Sequence, residues 1–425
     1  MRRLSLVLFS LFIIFGAWRN LYANDPGLQS IQESMNELKR TVKSLESSLH
    51  VQNEVIRQQS IQIAALQKEP GQVVPQTSSL VMPAGSPAVA GVSGFNPEIG
   101  VTGTVQTKLT QNSNDAEGND TIALKELELN FAQVVDPFSR LDAIISFNDN
   151  IEAQNVNIEE AYYTRWELPL GFIGQIGKFR AKIGKENLMH LHRLDTTDYP
   201  LVIRDFFGEE GLAASSARLQ NTIPNPWDLP IEITGEVLRG NNGPSFSGIS
   251  RRPIFNTHLK TFFEPTKDTN LELGWTTLFG DEVPASINSK GSDKYGVKVF
   301  GADATFNGFL PEGRKIKWQN EVYFQNRGNV HVNDNPWGAY SLLDFRLSPK
   351  FSTGVRFDYL EPLDVLKDHR RSTGISPYFT FWQSEFADFK IQYSRFEPAN
   401  GNKKSDNLLF LQADFLIGAD KHPIQ

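Results

Sequence analysis

The chain has 425 residues, no cysteine and a formal net charge of −7, and its mean hydropathy is −0.34. Beyond the N-terminus there is no run of about twenty apolar residues, which excludes a helical membrane protein. The charges are spread along the chain without a Lys/Arg tract, so no nucleic-acid partner is indicated. The chain lacks the G-x-S-x-G, Walker and H-E-x-x-H motifs, and we predict that it is not an enzyme and binds no cofactor.

The N-terminus has the pattern of a secretory signal peptide. Arg2 and Arg3 precede an apolar stretch from Leu4 to Ala17, and Ala23 supplies a small residue at the cleavage point. We therefore predict a signal peptide over residues 1–23. If this segment were retained, it would instead be a short inner-membrane anchor.

Residues 24–69 carry an apolar pattern that steps by three and four, which predicts a parallel coiled coil of about forty residues. Its seam positions are Leu28, Ile31, Met35, Leu38, Val42, Leu45, Leu49, Gln52, Ile56, Gln59, Ile63 and Leu66. Gln52 and Gln59 fall at d positions, where they could bond across a symmetric bundle and fix its register. The alternative is a single amphipathic helix that lies on another surface. Residues 70–94 are rich in Pro, Gly, Ser and Ala and are predicted to form an extended linker.

From residue 95 to residue 425 the sequence predicts an all-β fold, a 16-stranded antiparallel transmembrane β-barrel. In the segment 351–359, Phe351, Val355 and Phe357 share one face, while Arg356 and Asp358 share the other. The predicted strands are 98–109, 122–134, 139–148, 156–167, 172–180, 211–220, 230–239, 254–264, 270–279, 294–306, 315–326, 337–347, 351–360, 372–382, 387–396 and 407–417. Connections after odd-numbered strands are mostly long, and most of those after even-numbered strands are short. Both ends of the barrel domain then lie on the short-turn side. Because the short turns of outer-membrane barrels face the periplasm, the coiled coil is predicted to lie there.

The longest connection, residues 181–210, follows the fifth strand and is the most basic part of the chain. The candidate constriction residues in and beside it are Lys178, Arg180, Lys182, Lys185, Arg193 and Arg204. Cations that converge on a constriction would favour anions. The alternative is that these side chains pair with local carboxylates or with the barrel wall and pin the loop.

Two motifs flank this connection. Gly177-Lys178-Phe179-Arg180 comes before it, and the run from Arg204 to Gly211, Arg-Asp-Phe-Phe-Gly-Glu-Glu-Gly, ends it. This region resembles the hallmark region of the phosphate-selective porin O and P family. The resemblance implies a trimeric outer-membrane channel whose inward-folded loop carries an anion-binding cluster, with Arg180, Lys182, Arg193 and Arg204 as the matching positions.

The resemblance therefore predicts a homotrimer in the lipid bilayer of the outer membrane that passes small anions or other small solutes. Two alternatives stay open: a channel specific for another small nutrient, and an envelope tether whose coiled coil contacts peptidoglycan.

The predicted lumen face carries charges of both signs, which differs from the ladder of positive side chains in that family. Its cations are Lys260, Lys298, Lys317, Arg346, Arg356 and Lys390, and its carboxylates include Glu126, Glu128, Glu232, Glu272 and Glu321. His190 and His192 have a spacing that can ligate a metal, with Asp195 or Asp198 as further ligands. With no cysteine and only seven histidines in the chain, we predict no metal site.

Overall fold

The computed structural model describes residues 97–111, 121–148, 155–248, 252–283, 294–328, 334–363, 371–398 and 405–418. The predicted signal peptide, coiled coil and linker all lie outside the described residues. Within the described part of the chain, no helix is long and apolar enough to cross a membrane.

Sixteen strands form one closed antiparallel barrel, as the sequence predicts. They are β1 (Glu98–Thr110), β2 (Thr121–Asp136), β3 (Ser139–Asn148), β4 (Asn155–Leu168), β5 (Phe172–Arg180), β6 (Ala213–Ile223), β7 (Ile231–Leu238), β8 (Ile254–Thr266), β9 (Thr269–Glu282), β10 (Tyr295–Leu310), β11 (Arg314–Arg327), β12 (Trp337–Ser348), β13 (Phe351–Leu360), β14 (Ser372–Ser384), β15 (Ala387–Glu397) and β16 (Asp406–Gly418). Each predicted strand corresponds to one of these strands.

The sheet closes because β1 pairs with β2 on one side and with β16 on the other. Gly100 lies opposite Gly418, and Thr110 lies opposite Leu408. Closure leaves no strand edge unpaired, which a sheet surrounded by lipid requires. The short turns and both barrel ends lie at one rim, which we call the short-turn rim, and the long connections lie at the other, the long-loop rim.

The two faces of the wall differ as the period-two pattern predicts. In β13, Phe357 is exposed while its neighbours Arg356 and Asp358 are buried. The same alternation places exposed Phe, Leu, Ile and Trp side chains on the outer surface of most strands. A continuous apolar outer surface is the one that a lipid bilayer covers.

Aromatic side chains gather at both rims. At the short-turn rim, Phe381 stacks on Phe351, with ring centroids 5.2 Å apart, and on Phe389 at 6.3 Å. At the long-loop rim, Trp337 stacks on Tyr359, with centroids 4.3 Å apart. These are the two levels at which aromatic girdles meet the membrane interfaces.

The barrel contains an apolar core in its interior, which the alternating sequence pattern does not predict. Val297 and Val299 of β10 point inward and are buried in that core, while Lys298 between them is exposed. The prediction that Lys298 faces the lumen is therefore wrong. Its neighbours turn inward because they pack against apolar residues of the connection between β5 and β6.

Candidate functional site: the inward loop and the lumen

The connection between β5 and β6, residues 181–212, lies inside the barrel, and we call it the inward loop. It contains two short 3-10 turns, Glu186–Leu188 and Leu191–Arg193, and one helix, α1 (Leu201–Phe207). Its backbone and side chains form hydrogen bonds with strands on several sides of the wall. The loop therefore crosses the lumen.

Apolar packing holds α1 in place. Val202, Ile203 and Phe206 are completely buried, and the helix packs on β12 and β13. The ring of Phe207 meets that of Tyr323 on β11 edge to face, with centroids 5.2 Å apart. Gly338 at the start of β12 makes room for the helix, because a Cβ there would come within 2.7 Å of Val202 Cγ2.

The first part of the loop is cationic and lies against carboxylates of the wall. The Nζ of Lys182 is 2.6 Å from an oxygen of Glu232 on β7, and the Nζ of Lys185 is 3.4 Å from one of Glu272 on β9. Burial of each lysine lowers its pKa, and the partner carboxylate acts in the opposite direction. These ion pairs fix the loop to one side of the lumen.

The middle of the loop carries two aspartates that lie against cations of β11 and β13. Asp195 pairs with Lys317 on β11, and Asp198 lies 3.0 Å from a guanidinium nitrogen of Arg356 on β13. Arg356 is completely buried. The lysines of the first part and the aspartates of the middle part therefore each pair with wall residues of opposite charge, first on β7 and β9 and then on β11 and β13.

Buried carboxylates of the wall also accept hydrogen bonds from backbone N–H groups of the loop. The amides of Lys185 and Glu186 donate to the same oxygen of Glu321, at 2.9 and 2.8 Å. Glu186 is itself buried, with one oxygen 2.6 Å from the Gln319 side-chain amide. Burial first, and then the charge of Glu321, raises the pKa of Glu186 to about 7. This part of the loop contains a carboxyl group that titrates near neutrality.

The structure places the remaining sequence-predicted site residues as follows. Arg180 is buried, donates to the carbonyl oxygen of Glu210 and lies 3.9 Å from Glu159. Lys178 donates to the carbonyl oxygen of Ile158 on β4. Arg204 pairs at 2.7 Å with Glu209, and Arg193 is exposed. One cavity is lined by three of the predicted residues, Arg180, Lys182 and Lys185. The other three, Lys178, Arg193 and Arg204, are not among its lining residues.

That cavity has a volume of about 320 Å³ and lies between the loop and the wall of β4 to β10. Five cationic side chains line it, Arg180, Lys182, Lys185, Arg218 and Lys260, together with four carboxylates, Glu160, Glu232, Glu272 and Asp303. We call it the lumen cavity. Charges of both signs therefore face the same water-accessible space, with one more cation than anion.

Arg218 on β6 also lines the lumen cavity and is not among the residues that the sequence predicts for the site. Its guanidinium lies over the ring of Phe179, 4.3 Å from the centroid, and it donates to the carbonyl oxygen of Arg180 at 2.6 Å. The sequence does contain a signal for its inward position. Arg218 follows Ala214 and Ser216 at every second position of β6, and all three residues are buried.

No family model matches the chain. An uncharacterized protein of Aquifex aeolicus (strain VF5) is 26% identical over 336 residues, which is 69% of this chain and 69% of that protein.

Solved outer-membrane proteins share the fold at low identity. OprB of Pseudomonas putida aligns with a TM-score of 0.55 and 10% identity over 77% of this chain and 95% of its own. The outer membrane channel DcaP of Acinetobacter baumannii aligns with a TM-score of 0.53 and 11% identity over 76% of this chain and 97% of its own. An anion-selective porin from Comamonas acidovorans aligns with a TM-score of 0.51 and 9% identity over 76% of this chain and 100% of its own. The described part of the chain has the fold of outer-membrane porins.

Proposed function

We propose that this protein is a passive diffusion channel for small solutes in the outer membrane. The observation that carries the proposal is a closed 16-stranded barrel with apolar side chains on its outer surface and buried polar and charged ones on its inner surface. Such a wall fits lipid outside and water inside. The inward loop narrows the lumen and is the natural constriction.

We further propose that the constriction prefers anions. The support is the lumen cavity, where cations outnumber carboxylates by one and three of the cations are lysines. A lysine on its flexible stem can exchange a carboxylate partner for a passing anion, whereas a buried arginine held by several bonds cannot. Because the charges nearly balance, we expect a modest preference for anions such as phosphate or chloride.

We also propose that the chain is a homotrimer with its coiled coil in the periplasm. The support is the heptad pattern of residues 24–69 and the resemblance to trimeric porins. Three parallel helices would need apolar seam positions at a and d, which ten of the twelve seam residues supply.

The test of ion preference is the reversal potential of the purified protein in a planar bilayer under a KCl gradient. We expect the wild type to favour chloride. We expect Lys182→Gln/Lys185→Gln/Lys260→Gln to shift the reversal potential toward potassium, because Glu232 and Glu272 would remain without their cationic partners.

The matched control is Lys267→Gln/Lys350→Gln, which removes exposed lysines of two short turns. It should leave the reversal potential unchanged. If the triple variant behaved like this control, the lumen cavity would not set selectivity. If the wild type gave no conductance steps at all, the channel itself would be refuted.

A further inference from the structure

One contact between the inward loop and the wall concentrates histidine and carboxylate side chains. Glu126 and Glu128 lie at inward positions of β2 and are buried. His190 and His192 approach them from the loop. The Nδ1 of His190 lies 2.8 Å from Glu128 Oε1, and the Nδ1 of His192 lies 3.8 Å from the same oxygen.

Three of these residues converge at a spacing that suits a metal ion. One ligand atom each from Glu126, Glu128 and His192 all lie within 4.8 Å of one another. In a tetrahedral zinc site the ligand atoms lie about 3.3 Å apart, since each bond is about 2.0 to 2.2 Å long. Small rotamer changes would bring the three atoms to that separation.

A second observation independently indicates that a ligand is missing from this contact. Glu126 is only 7% exposed, and its Oε2 has no hydrogen-bond partner among the described residues. Asn130, two positions beyond Glu128 on the same face of β2, is completely buried, and neither atom of its amide group has a partner in the described part of the chain. A buried carboxylate oxygen without a donor is costly.

The surrounding charge has the same sign as the cluster. Glu159 and Glu210 line a cavity with Glu126, and Lys125 is the cation that lines it with them. Arg180 approaches the group from one side, 3.9 Å from Glu159. A divalent cation would reduce the repulsion among these carboxylates.

We propose that Glu126, Glu128 and His192 bind a divalent transition-metal ion of the Zn²⁺ type and that this ion fastens the inward loop to β2. An imidazole ligand favours Zn²⁺ over Ca²⁺ and Mg²⁺, which take oxygen ligands. His190 is a positioning residue, because its bond to Glu128 orients that carboxylate. The site is additional to the proposed channel function, and neither depends on the other.

The first experiment measures binding of Zn²⁺ alone to the purified full-length protein in detergent by isothermal titration calorimetry. We expect one saturable site per chain in the wild type. Glu126→Gln and His192→Ala should each lower the affinity at least tenfold, and His190→Ala should lower it about 10 to 100-fold. Zn²⁺ should also raise the melting temperature of the wild type but not that of His192→Ala.

The control is His258→Ala, which removes another buried histidine of the barrel interior. The Nδ1 of His258 lies 2.9 Å from the Thr276 hydroxyl, away from the cluster, so this variant should bind Zn²⁺ as the wild type does. Equal affinity in wild type, Glu126→Gln and His192→Ala, or Ca²⁺ competing as well as Zn²⁺, would overturn the proposal.

A measurement on the wild type alone keeps the test decisive if the variants fail to fold. Co²⁺ substituted for Zn²⁺ should give the strong visible absorption of a four-coordinate site with nitrogen and oxygen ligands, and Zn²⁺ should displace it. The weak spectrum of hydrated Co²⁺ would count against the site.

Discussion

Arg356 shows how a single buried residue fixes the inward loop. Its guanidinium is 2.8 Å from Asp358 on its own strand and 3.0 Å from Asp198 on the loop, and it also donates to the Thr196 hydroxyl at 2.7 Å. It donates to the Asp198 carbonyl oxygen as well, at 2.6 Å. The five donors of a planar guanidinium can satisfy these four acceptors at once, which the three donors of a lysine cannot. Breaking one side of a buried pair costs about 3 to 5 kcal/mol, so the loop is held in one position.

Glu186 gives a prediction about pH. Burial and the nearby Glu321 and Asp195 carboxylates raise its pKa from 4.5 to about 7, although Lys317 acts in the opposite direction. The folded protein therefore binds this proton more tightly than the unfolded chain, so its stabilising contribution is complete below about pH 4.5 and is lost as the pH rises through 7. We expect the thermal midpoint in detergent to fall between pH 5 and pH 8.

In Glu186→Gln this fall should be smaller, since the amide does not titrate. Glu312→Gln, in an exposed short turn, is the control and should keep the wild-type pH dependence. A Glu186→Gln variant with an unchanged fall would show that other groups cause it.

At the scale of strands, the local sequence carries almost all the information about the barrel. All sixteen predicted strands are present, because the period of two residues is a property of each strand and its two environments. This alternation predicts the wrong face for Val297 and Val299, because the inward loop offers them an apolar surface inside the barrel. Their inward orientation depends on the loop that packs there, and the strand's own sequence cannot show it.

The partners of the loop could not be predicted for a similar reason. Asp195 and Lys317 are 122 residues apart, and Asp198 and Arg356 are 158 apart. These pairs exist only once the barrel closes and the loop turns inward. The sequence shows that the loop is charged, but the choice between an anion-binding cluster and a pinned loop depends on which distant wall residues lie beside those charges.

The orientation of β13 can be tested with one lysine on each face of the wall. Val355 lies on the outer face of β13, opposite Leu343 and Pro377, so Val355→Lys should place a charge in lipid. This costs about 2 to 4 kcal/mol at the midplane, and we expect a lower yield of heat-modifiable, folded barrel. Gln220→Lys adds the same charge to the lumen cavity, near Glu232, and should fold normally. Equal folding yields would mean that Val355 does not face lipid, and a lower yield for Gln220→Lys alone would mean that the two faces are reversed.

At the scale of the whole molecule, the fold separates the closed wall from the loop inside it, which controls passage in the function proposed above. Hydrogen bonds between neighbouring strands hold the wall together on every side, so the wall does not need the loop to close. The inward loop adds a second set of contacts inside that wall, through ion pairs such as Lys182 with Glu232 and Asp198 with Arg356.

The N-terminal segment gives the last prediction. If residues 24–69 form a trimeric coiled coil, deletion of residues 25–68 should leave barrels that fold and conduct but whose trimers dissociate at a lower temperature on unheated gels. The apolar seam would then contribute to association between chains, since ten of its twelve positions are Leu, Ile, Val or Met. If the segment instead tethers the envelope, the same deletion should produce detached outer-membrane blebs while trimer stability and conductance stay at wild-type values.

Replacing Leu38, Leu45 and Leu49 by Ser provides the matched control, because it disrupts the apolar seam and keeps the length of the segment. Weaker trimers in both variants support the trimer, whereas blebs in the deletion with wild-type trimer stability in both would reject it.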